Sequence, residues 1–178
     1  MNQLEGILEI DEGVFVMEQK LYDIFKDIGI EDYTVKYHEP ILTIEQADEF
    51  GLAMEGLNLK NLFLREKKTG RFFMVIIDDH RQTDLKYFKE VAGWRQVSFA
   101  KEEELMDVLG LEPGSVTPLA LFHDVEKCVI VVLGREISEA SDLEKVSFHP
   151  CRNDATLTMT KKDFLKFLSH MGNTVIFE

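Results

Sequence analysis

Apolar and polar positions alternate along the chain with two periods, and these periods predict its helices and strands. Apolar residues recur at helical spacing over residues 13–30, which predicts an amphipathic helix that stops at Gly29. Thr160 is placed to cap the last predicted helix. Four further helices are predicted, over residues 43–51, 83–91, 100–109 and 161–170.

Period-two alternation and short apolar runs predict the strands. Residues 58–65 and 71–78 flank the turn sequence KKTG, which predicts a β-hairpin. Residues 119–124 and 127–134 are predicted as two strands joined by a tight turn. Because helices and strands interleave without a regular βαβ order, we expect a mixed α/β fold, with flanking helices on a mixed sheet. The other predicted strands cover residues 33–40, 146–150, 154–159 and 173–178.

Composition favours one globular domain. The chain has 178 residues, of which 45% are hydrophobic and 30% charged, enough for a single core. No apolar run approaches the ~20 residues that cross a bilayer, and the acidic N-terminus lacks the basic start of a secretory signal. Cys128 and Cys151 form no CxxC motif, which is typical of a reducing compartment. We therefore expect a cytoplasmic domain spanning residues 1–178, in which residues 1–12 are an extension of unknown role.

Charge is unevenly distributed along the chain. The net charge is −13, which by itself disfavours a nucleic-acid partner. Residues 60–95, however, contain nine basic side chains and five acidic ones. This distribution is compatible with one basic face on an acidic body, although most charge clusters are only solvated surface.

The sequence FHPCRNDATLTM, residues 148–159, concentrates chemically active side chains. Cys, His and Asn of papain-like sites converge from distant parts of a chain, so neighbours in sequence rarely form such a triad. A structural zinc site needs further Cys or His ligands at short spacing, and no second Cys–His pair exists. A lone cysteine such as Cys151 is more often buried and inert than reactive.

Three short motifs allow both a structural and a functional interpretation. Lys60 heads the apolar strand KNLFL, where a lysine often only protects a strand edge. The loop GSVTP, residues 114–118, is either a plain surface turn or a close backbone approach whose N–H groups bind a carbonyl or phosphate oxygen. In the third motif, FHPCRN, Pro150 fixes the backbone beside His149. Asn153 either orients a ligand or bridges the loop backbone.

Taken in this order, the K-x-L-F-L strand, the G-x-x-x-P-L loop and the F-H-P-x-x-N stretch resemble the prolyl-tRNA editing family. These YbaK-like domains occur inserted in bacterial prolyl-tRNA synthetases and as free-standing proteins, and the free-standing ProX type is the most similar. The likeness runs from about residue 21 to residue 177, and includes residues 37–47 and 72–88. It implies a twisted mixed sheet of about seven strands, partly closed like a barrel and wrapped by helices.

The resemblance also implies roles for individual residues. Lys60 would anchor the phosphate or sugar of a terminal nucleotide, and His149 and Asn153 would line an aminoacyl pocket in which Cys151 is neither nucleophile nor ligand. The basic segment points to tRNA contacts, for which the adjacent pair Lys67–Lys68 is the candidate. A loop backbone would hold the ester carbonyl and its developing oxyanion. That loop consists of Gly114, Ser115, Val116, Thr117 and Pro118.

The implied activity is hydrolysis of alanyl-tRNA(Pro), with no metal or cofactor. Alanine fits a site built for proline, because missing methylenes change binding by only ~1–3 kcal/mol. The expected partners are the alanylated acceptor end of tRNA(Pro) and prolyl-tRNA synthetase, and neither DNA nor a membrane. Two alternatives stay open: a deacylase of cysteinyl-tRNA(Pro), and a non-catalytic module that binds tRNA or a synthetase.

Overall fold

The computed structural model describes residues 12–40 and 56–178. The predicted helix over residues 43–51 and all but the last residue of the N-terminal extension lie outside these ranges. The other predicted helices are confirmed, and Thr160 caps the last one by accepting a hydrogen bond from the Asp163 N–H at 3.1 Å. The described α-helices are α1 (Glu12–Ile28), α2 (Leu85–Ala92), α3 (Glu102–Leu109), α4 (Arg135–Ser138) and α5 (Lys161–Met171).

The described strands form two sheets, so the mixed α/β class is confirmed although the strands do not share one sheet. The smaller sheet has the order β1-β7-β6 and is antiparallel; the larger has the order β4-β2-β3-β5-β8. Antiparallel pairs β4–β2 and β2–β3 adjoin parallel pairs β3–β5 and β5–β8. The strands are β1 (Tyr33–Tyr37), β2 (Leu59–Glu66), β3 (Phe72–Asp78), β4 (Val97–Phe99), β5 (Val129–Leu133), β6 (Lys145–Phe148), β7 (Ala155–Thr160) and β8 (Val175–Phe177).

A single parallel bridge between Leu57 and Val146 joins the two sheets in the described part of the chain. Leu57 donates its N–H to the Lys145 carbonyl at 2.9 Å. Gly56, just before it, has φ +87°, and a Cβ there would lie 2.0 Å from the same carbonyl oxygen. Only glycine permits this approach, and the strands of residues 12–40 and 56–178 form two sheets that do not close into a complete barrel.

Apolar side chains pack on both faces of the larger sheet. One face of β2 and β3 packs with Phe88 of α2 and with Trp94, and the other packs with Leu21 and Phe25 of α1. Strand β3 is buried over residues 73–77, which is expected for a strand covered on both sides. No helix in the described ranges combines the length and apolar character needed to cross a membrane.

One predicted strand is wrong. Residues 119–124 belong mostly to a 3-10 helix, η1 (Pro118–His123), and not to a strand. Pro118 fixes φ and lacks an N–H, which suits the first position of a helix, and Thr117 accepts a hydrogen bond from the Leu119 N–H. The segment is buried almost throughout, so its apolar run carried no period that could separate helix from strand.

Candidate functional site at the junction of the two sheets

Lys60 lies near the start of β2, where backbone oxygens hold its ammonium group. Its Nζ donates hydrogen bonds to the carbonyl oxygen of Asp79, at 3.1 Å, and to that of Arg81. Both carbonyls follow the end of β3, the strand that pairs with β2 in the hairpin. An ammonium group carries three donors. The two bonds therefore fix its position and leave one N–H for a further acceptor.

A buried ion pair holds the loop that carries these carbonyls. The two terminal nitrogens of Arg81 each donate to a carboxylate oxygen of Glu178 at 2.6 Å, and the Glu178 side chain is only 4% exposed. Tyr87 donates its hydroxyl to the same carboxylate. The hydrogen bonds from Arg81 lower the pKa of Glu178, so the ion pair is intact at neutral pH. The ammonium of Lys60 is thus held by a rigid loop.

Asn61, the next residue of β2, contacts the GSVTP loop. Side chains alternate between the two faces of a strand, so Lys60 shares a face with Leu62, and Asn61 shares the opposite face with Phe63. Asn61 Nδ2 donates to the carbonyl oxygen of Val116 at 3.1 Å. Its Oδ1 is buried and has no hydrogen-bond partner in the described part of the chain. The hydrogen bond that ties β2 to the loop therefore comes from Asn61 and not from Lys60.

The loop itself turns at Gly114, between α3 and η1. Gly114 has φ +90°, a conformation that favours glycine. Ser115 is nearly buried, and both its hydroxyl and its N–H donate to the Glu112 carbonyl, at 2.8 and 3.2 Å. The Ser115 hydroxyl is thus engaged in the turn, which makes it a structural group and leaves the backbone as the chemically available part of the loop.

Three backbone N–H groups of this loop have no acceptor among the described residues: those of Gly114, Val116 and Thr117. Thr117 is fully buried, and buried N–H groups are nearly always paired. Such donors in consecutive peptides suit a carbonyl or phosphate oxygen. The loop therefore has the donors that the sequence motif predicts.

His149 lies in the turn between β6 and β7. Its Nδ1 is 2.9 Å from the Ala155 carbonyl, and because a carbonyl only accepts, Nδ1 carries the hydrogen. Burial lowers the pKa of His149; the hydrogen bond to Ala155 partly opposes this effect, and nearby His38 lowers the pKa further. The imidazole is therefore neutral at pH 7, and its Nε2 is a lone-pair acceptor. Asn153, half-buried in the same turn, makes no hydrogen bond to another described residue.

Cys151, at the tip of this turn, has the wrong environment for a nucleophile. Its side chain is buried, with 4% of the residue exposed, and its φ is +63°. Burial, together with the negative charge of Glu18, raises the pKa of the thiol to about 12. The thiol is therefore protonated at neutral pH, whereas a reactive cysteine needs a thiolate.

A buried network of charged side chains holds the turn between β6 and β7 against α1. Arg152 donates to Glu18 of α1 at 2.9 Å and to both carboxylate oxygens of Asp154. Tyr22 and Tyr37 donate their hydroxyls to the other oxygen of Glu18, at 2.7 and 3.2 Å. Hydrogen bonds from Arg152 lower the pKa of Asp154, so its carboxylate is ionised at neutral pH. This network, which we call the α1–turn lock, holds the backbone on either side of Asn153.

The bridge between the sheets joins Leu57, two residues before β2, to Val146 in β6, the strand that leads into the His149 turn. From Leu57 and Val146 the two chains run parallel. Lys60 and Asn61 follow Leu57, and His149 follows Val146, so at ~3.3 Å per residue all three lie about 10–13 Å beyond the bridge. In the described residues the two chains do not pair again. The candidate site is therefore the opening where the two sheets separate.

The predicted tRNA-binding lysines lie elsewhere. Lys67 and Lys68 are exposed in the turn at the opposite end of the hairpin, about 23 Å from Lys60 along β2 at ~3.3 Å per residue. The buried carboxylate of Glu66 organises this turn, since it accepts hydrogen bonds from the Thr69 hydroxyl and from the Arg95 N–H. The structure thus separates a basic turn from the junction site.

The described residues contain one group of side chains with metal-ligand chemistry. Atoms of Asp78, Asp79 and His80, in the turn after β3, lie within 4.8 Å of one another. His80 is 75% exposed and already pairs with both carboxylates. The side chains of Asp78 and Asp79 are 35% and 6% exposed, and their contacts with His80 account for their proximity, so we assign the group no function.

Two structural features of the candidate site were not predicted from the sequence: the contact made by Asn61, and the α1–turn lock. Asn61 stands in the quoted KNLFL motif, and a polar residue at an inward position of an apolar strand was the available signal. The α1–turn lock had no such signal, because it joins Glu18 and Arg152 across 134 residues of sequence.

The described residues define an α/β protein with three polar features: the Lys60 ammonium group on one face of β2, a loop with unpaired N–H groups on the other face, and the neutral imidazole of His149. Such a site suits a polar ester or phosphate oxygen. Comparison with known families identifies it further. The aminoacyl-tRNA editing domain profile matches residues 38–167. The chain belongs to this family.

Curated relatives agree with the family assignment. The chain is 32% identical over 143 residues to prolyl-tRNA editing protein ProX of Acetoanaerobium sticklandii, covering 80% of this chain and 85% of that protein. It is also 32% identical over 160 residues to prolyl-tRNA synthetase associated domain-containing protein 1 of Danio rerio, covering 90% and 85% respectively. The predicted resemblance to the prolyl-tRNA editing family is confirmed.

Solved structures share the fold at lower identity. The crystal structure of hypothetical protein APE2540 matches with a TM-score of 0.67 at 21% identity, over 89% of this chain and 97% of that one. A proposed trans-editing enzyme for prolyl-tRNA synthetase matches with a TM-score of 0.64 at 17% identity, over 90% and 95%. At these identities the likeness supports the fold alone.

Proposed function

We propose that this protein removes alanine from mischarged alanyl-tRNA(Pro) by hydrolysing the aminoacyl ester, acting on the free substrate in support of prolyl-tRNA synthetase. The family and the names of its curated relatives support prolyl-tRNA editing. The observation that supports the proposal is the hydrogen bond from Asn61, the residue after Lys60 in β2, to the GSVTP loop.

In this proposal the hydrolysis requires no protein nucleophile, because an aminoacyl ester is already activated. In this proposal the free N–H groups of Val116 and Thr117 stabilise the negative charge that develops on the ester oxygen. Fixed donors of this kind contribute strongly, because they need no reorganisation during the reaction. The remaining N–H of the Lys60 ammonium binds the phosphate or sugar of the terminal adenosine, so that the ester is positioned as well as polarised.

His149 and Asn153 form the amino-acid side of the proposed site. The neutral imidazole is held by its bond to Ala155, so it acts as a fixed wall that admits alanine and excludes the larger proline. A close-packed wall excludes volume because its neighbours cannot move without strain. Asn153 supplies polar contacts to the aminoacyl group. The α1–turn lock keeps both residues in position.

The basic turn is the proposed site for the tRNA backbone. Lys67 and Lys68 lie about 23 Å along β2 from Lys60, a separation set by strand geometry. They are therefore placed to contact phosphates of the acceptor stem when the terminal adenosine is at the junction. Few lysines are involved, so the affinity should decrease with salt along a shallow slope.

A direct assay tests the proposal. Alanyl-, cysteinyl- and prolyl-tRNA(Pro) are each incubated with the protein, and loss of each ester is followed over time. We expect rapid loss of alanine and protection of prolyl-tRNA(Pro). Preferential loss of cysteine would establish the alternative substrate, and stability of all three esters would show a non-catalytic binding module.

Variants test the assigned roles in the same assay. Lys60→Met keeps the aliphatic stem and removes the ammonium group, and we expect alanine release to fall by at least tenfold. Cys151→Ser is the matched control, because a protonated buried thiol has no role in the reaction. Wild-type turnover in a folded Lys60→Met protein would contradict the anchoring role, and loss of turnover in a folded Cys151→Ser protein would restore a cysteine mechanism.

A further inference from the structure

Asn61 has an unused acceptor beside the proposed editing site. A carbonyl oxygen only accepts hydrogen bonds, so the Asn61 amide must turn its nitrogen towards Val116, as the 3.1 Å contact shows. The amide oxygen is then left over. It is buried and has no hydrogen-bond partner in the described ranges.

An unpaired buried acceptor is unfavourable for stability. A leucine at the same position would fit the surroundings, since Leu59 and Phe63 on the same face of β2 belong to the apolar core. Buried polar atoms of native proteins normally find a partner, and each exception needs an explanation, such as a functional role or a bound water or ion. The oxygen of Asn61 is such an exception, and it adjoins a loop with free N–H groups.

The nitrogen of the same amide has a second effect. It holds the Val116 carbonyl, and because a peptide unit is planar, the direction of the Thr117 N–H is fixed with it. No peptide bond in the described chain is cis. One side chain thus orients a loop donor and presents an acceptor.

We propose that Asn61 is a substrate-binding residue whose Oδ1 accepts a hydrogen bond from the aminoacylated adenosine. This inference rests on the proposed editing function. The reacting end of that substrate carries two suitable donors, the α-ammonium group of alanine and the ribose 2′-hydroxyl beside the ester. Each of these groups can donate a hydrogen bond to an amide oxygen. Substrate analogues that lack either the α-ammonium group or the 2′-hydroxyl show which of the two is the donor.

Stable analogues test the proposal by binding alone. Three are needed: alanine joined by an amide to 3′-amino-3′-deoxyadenosine, the propionyl compound that lacks the α-amine, and the alanyl compound that lacks the 2′-hydroxyl. Their dissociation constants are measured calorimetrically with the wild type and with Asn61→Leu. A neutral or charge-assisted hydrogen bond corresponds to about a 3- to 100-fold change in affinity.

We expect the wild type to bind one truncated analogue at least threefold more weakly, and Asn61→Leu to bind that analogue and its parent equally. The weaker analogue identifies the donor. Equal binding of all three compounds by the wild type, or an undiminished preference in Asn61→Leu, would overturn the proposal. Asn61→Ala gives the same comparison if the leucine variant does not fold.

Failure of this inference can be told apart from failure of the proposed function. If the wild type hydrolyses alanyl-tRNA(Pro) but shows no preference among the analogues, the editing function stands and the role of Asn61 is rejected. If the wild type neither hydrolyses the ester nor binds any analogue, both are rejected. Thermal unfolding of Asn61→Leu supplies a readout that does not depend on activity: the leucine removes an unpaired acceptor but also the donor to the Val116 carbonyl, so we expect a stability near that of the wild type.

Discussion

Arg152→Met tests whether the α1–turn lock stabilises the fold. The side chains of Arg152 and Glu18 are 9% and 6% exposed, so removal of the guanidinium leaves a buried carboxylate without its cation. Breaking a buried pair from one side costs about 3–5 kcal/mol. A typical domain has a total stability of roughly 5–15 kcal/mol. We therefore expect Arg152→Met to lose roughly a fifth or more of the free energy of unfolding.

Glu18→Gln combined with Arg152→Met separates the cost of an orphaned charge from the value of the pair. The double variant removes both charges, and glutamine can still accept the hydroxyls of Tyr22 and Tyr37. We expect it to be less destabilised than Arg152→Met alone, since replacing both members of a buried pair is often nearly neutral. This ordering is the opposite of simple additivity.

Urea unfolding followed by circular dichroism measures both effects, provided that the slope of free energy against urea is unchanged. Lys145→Met is the matched control, because the Lys145–Asp32 pair spans 3.9 Å and its carboxylate is 81% exposed. Such surface pairs contribute about 0–1 kcal/mol. The reasoning fails if Arg152→Met costs no more than Lys145→Met, or if the double variant is as unstable as the single one.

The remaining predictions concern the site, the tRNA surface and the joint between the sheets. His149→Ala should raise the rate of prolyl-tRNA(Pro) deacylation relative to that of alanyl-tRNA(Pro); an unchanged ratio would show that the wall lies elsewhere. The imidazole of His149 should titrate below its usual pKa of about 6.5 by NMR, so its contribution to stability is complete above that pH and decreases as pH falls, because the unfolded chain takes up the proton first. Charge reversal at Lys67 and Lys68 should weaken tRNA binding more than reversal at exposed Lys162, in filter-binding titrations at low salt. Gly56→Ala should lower the melting temperature, because its Cβ would lie 2.0 Å from the Lys145 carbonyl oxygen; an unchanged value would mean that the joint can shift.

Local patterns predict the elements whose signals are themselves local. The hairpin of β2 and β3 was predictable because a short polar turn separates two apolar runs, and the last helix because Thr160 caps it. The same holds for α3, where Gly110 adopts a left-handed φ of +65° after the last turn. In each case the residues that define the boundary are neighbours in sequence.

The wrong and missing assignments depend on distant contacts. Residues 118–122 of η1 are all buried, so their apolar run fits a strand as well as a helix. Short elements such as β4 and α4 have too few residues to show a period. Within the described residues the two sheets are joined by a single bridge at Leu57, and no local sequence pattern predicts it.

Residue types pointed to the segments of the candidate site but not to the contact between them. Lys60 and the GSVTP loop were both recognisable, but the contact between strand and loop is made by Asn61 on the opposite face. Moving one residue along a strand places the side chain on the opposite face of the sheet. Motif matching identifies a segment, whereas the pleat of the strand decides which of its side chains meets the loop.

The pairing of β1 with β7 has a consequence for the order of events on the ribosome. Tyr33 lies opposite Met159, so the first strand leaves the ribosome long before its partner is made. At synthesis rates of about 5–20 residues per second, the delay is roughly 6–25 s. During this time α1 has no finished core to cover its apolar side, and β1 is an unpaired edge open to other chains. We therefore expect nascent chains of this protein to depend on chaperones until β7 has emerged.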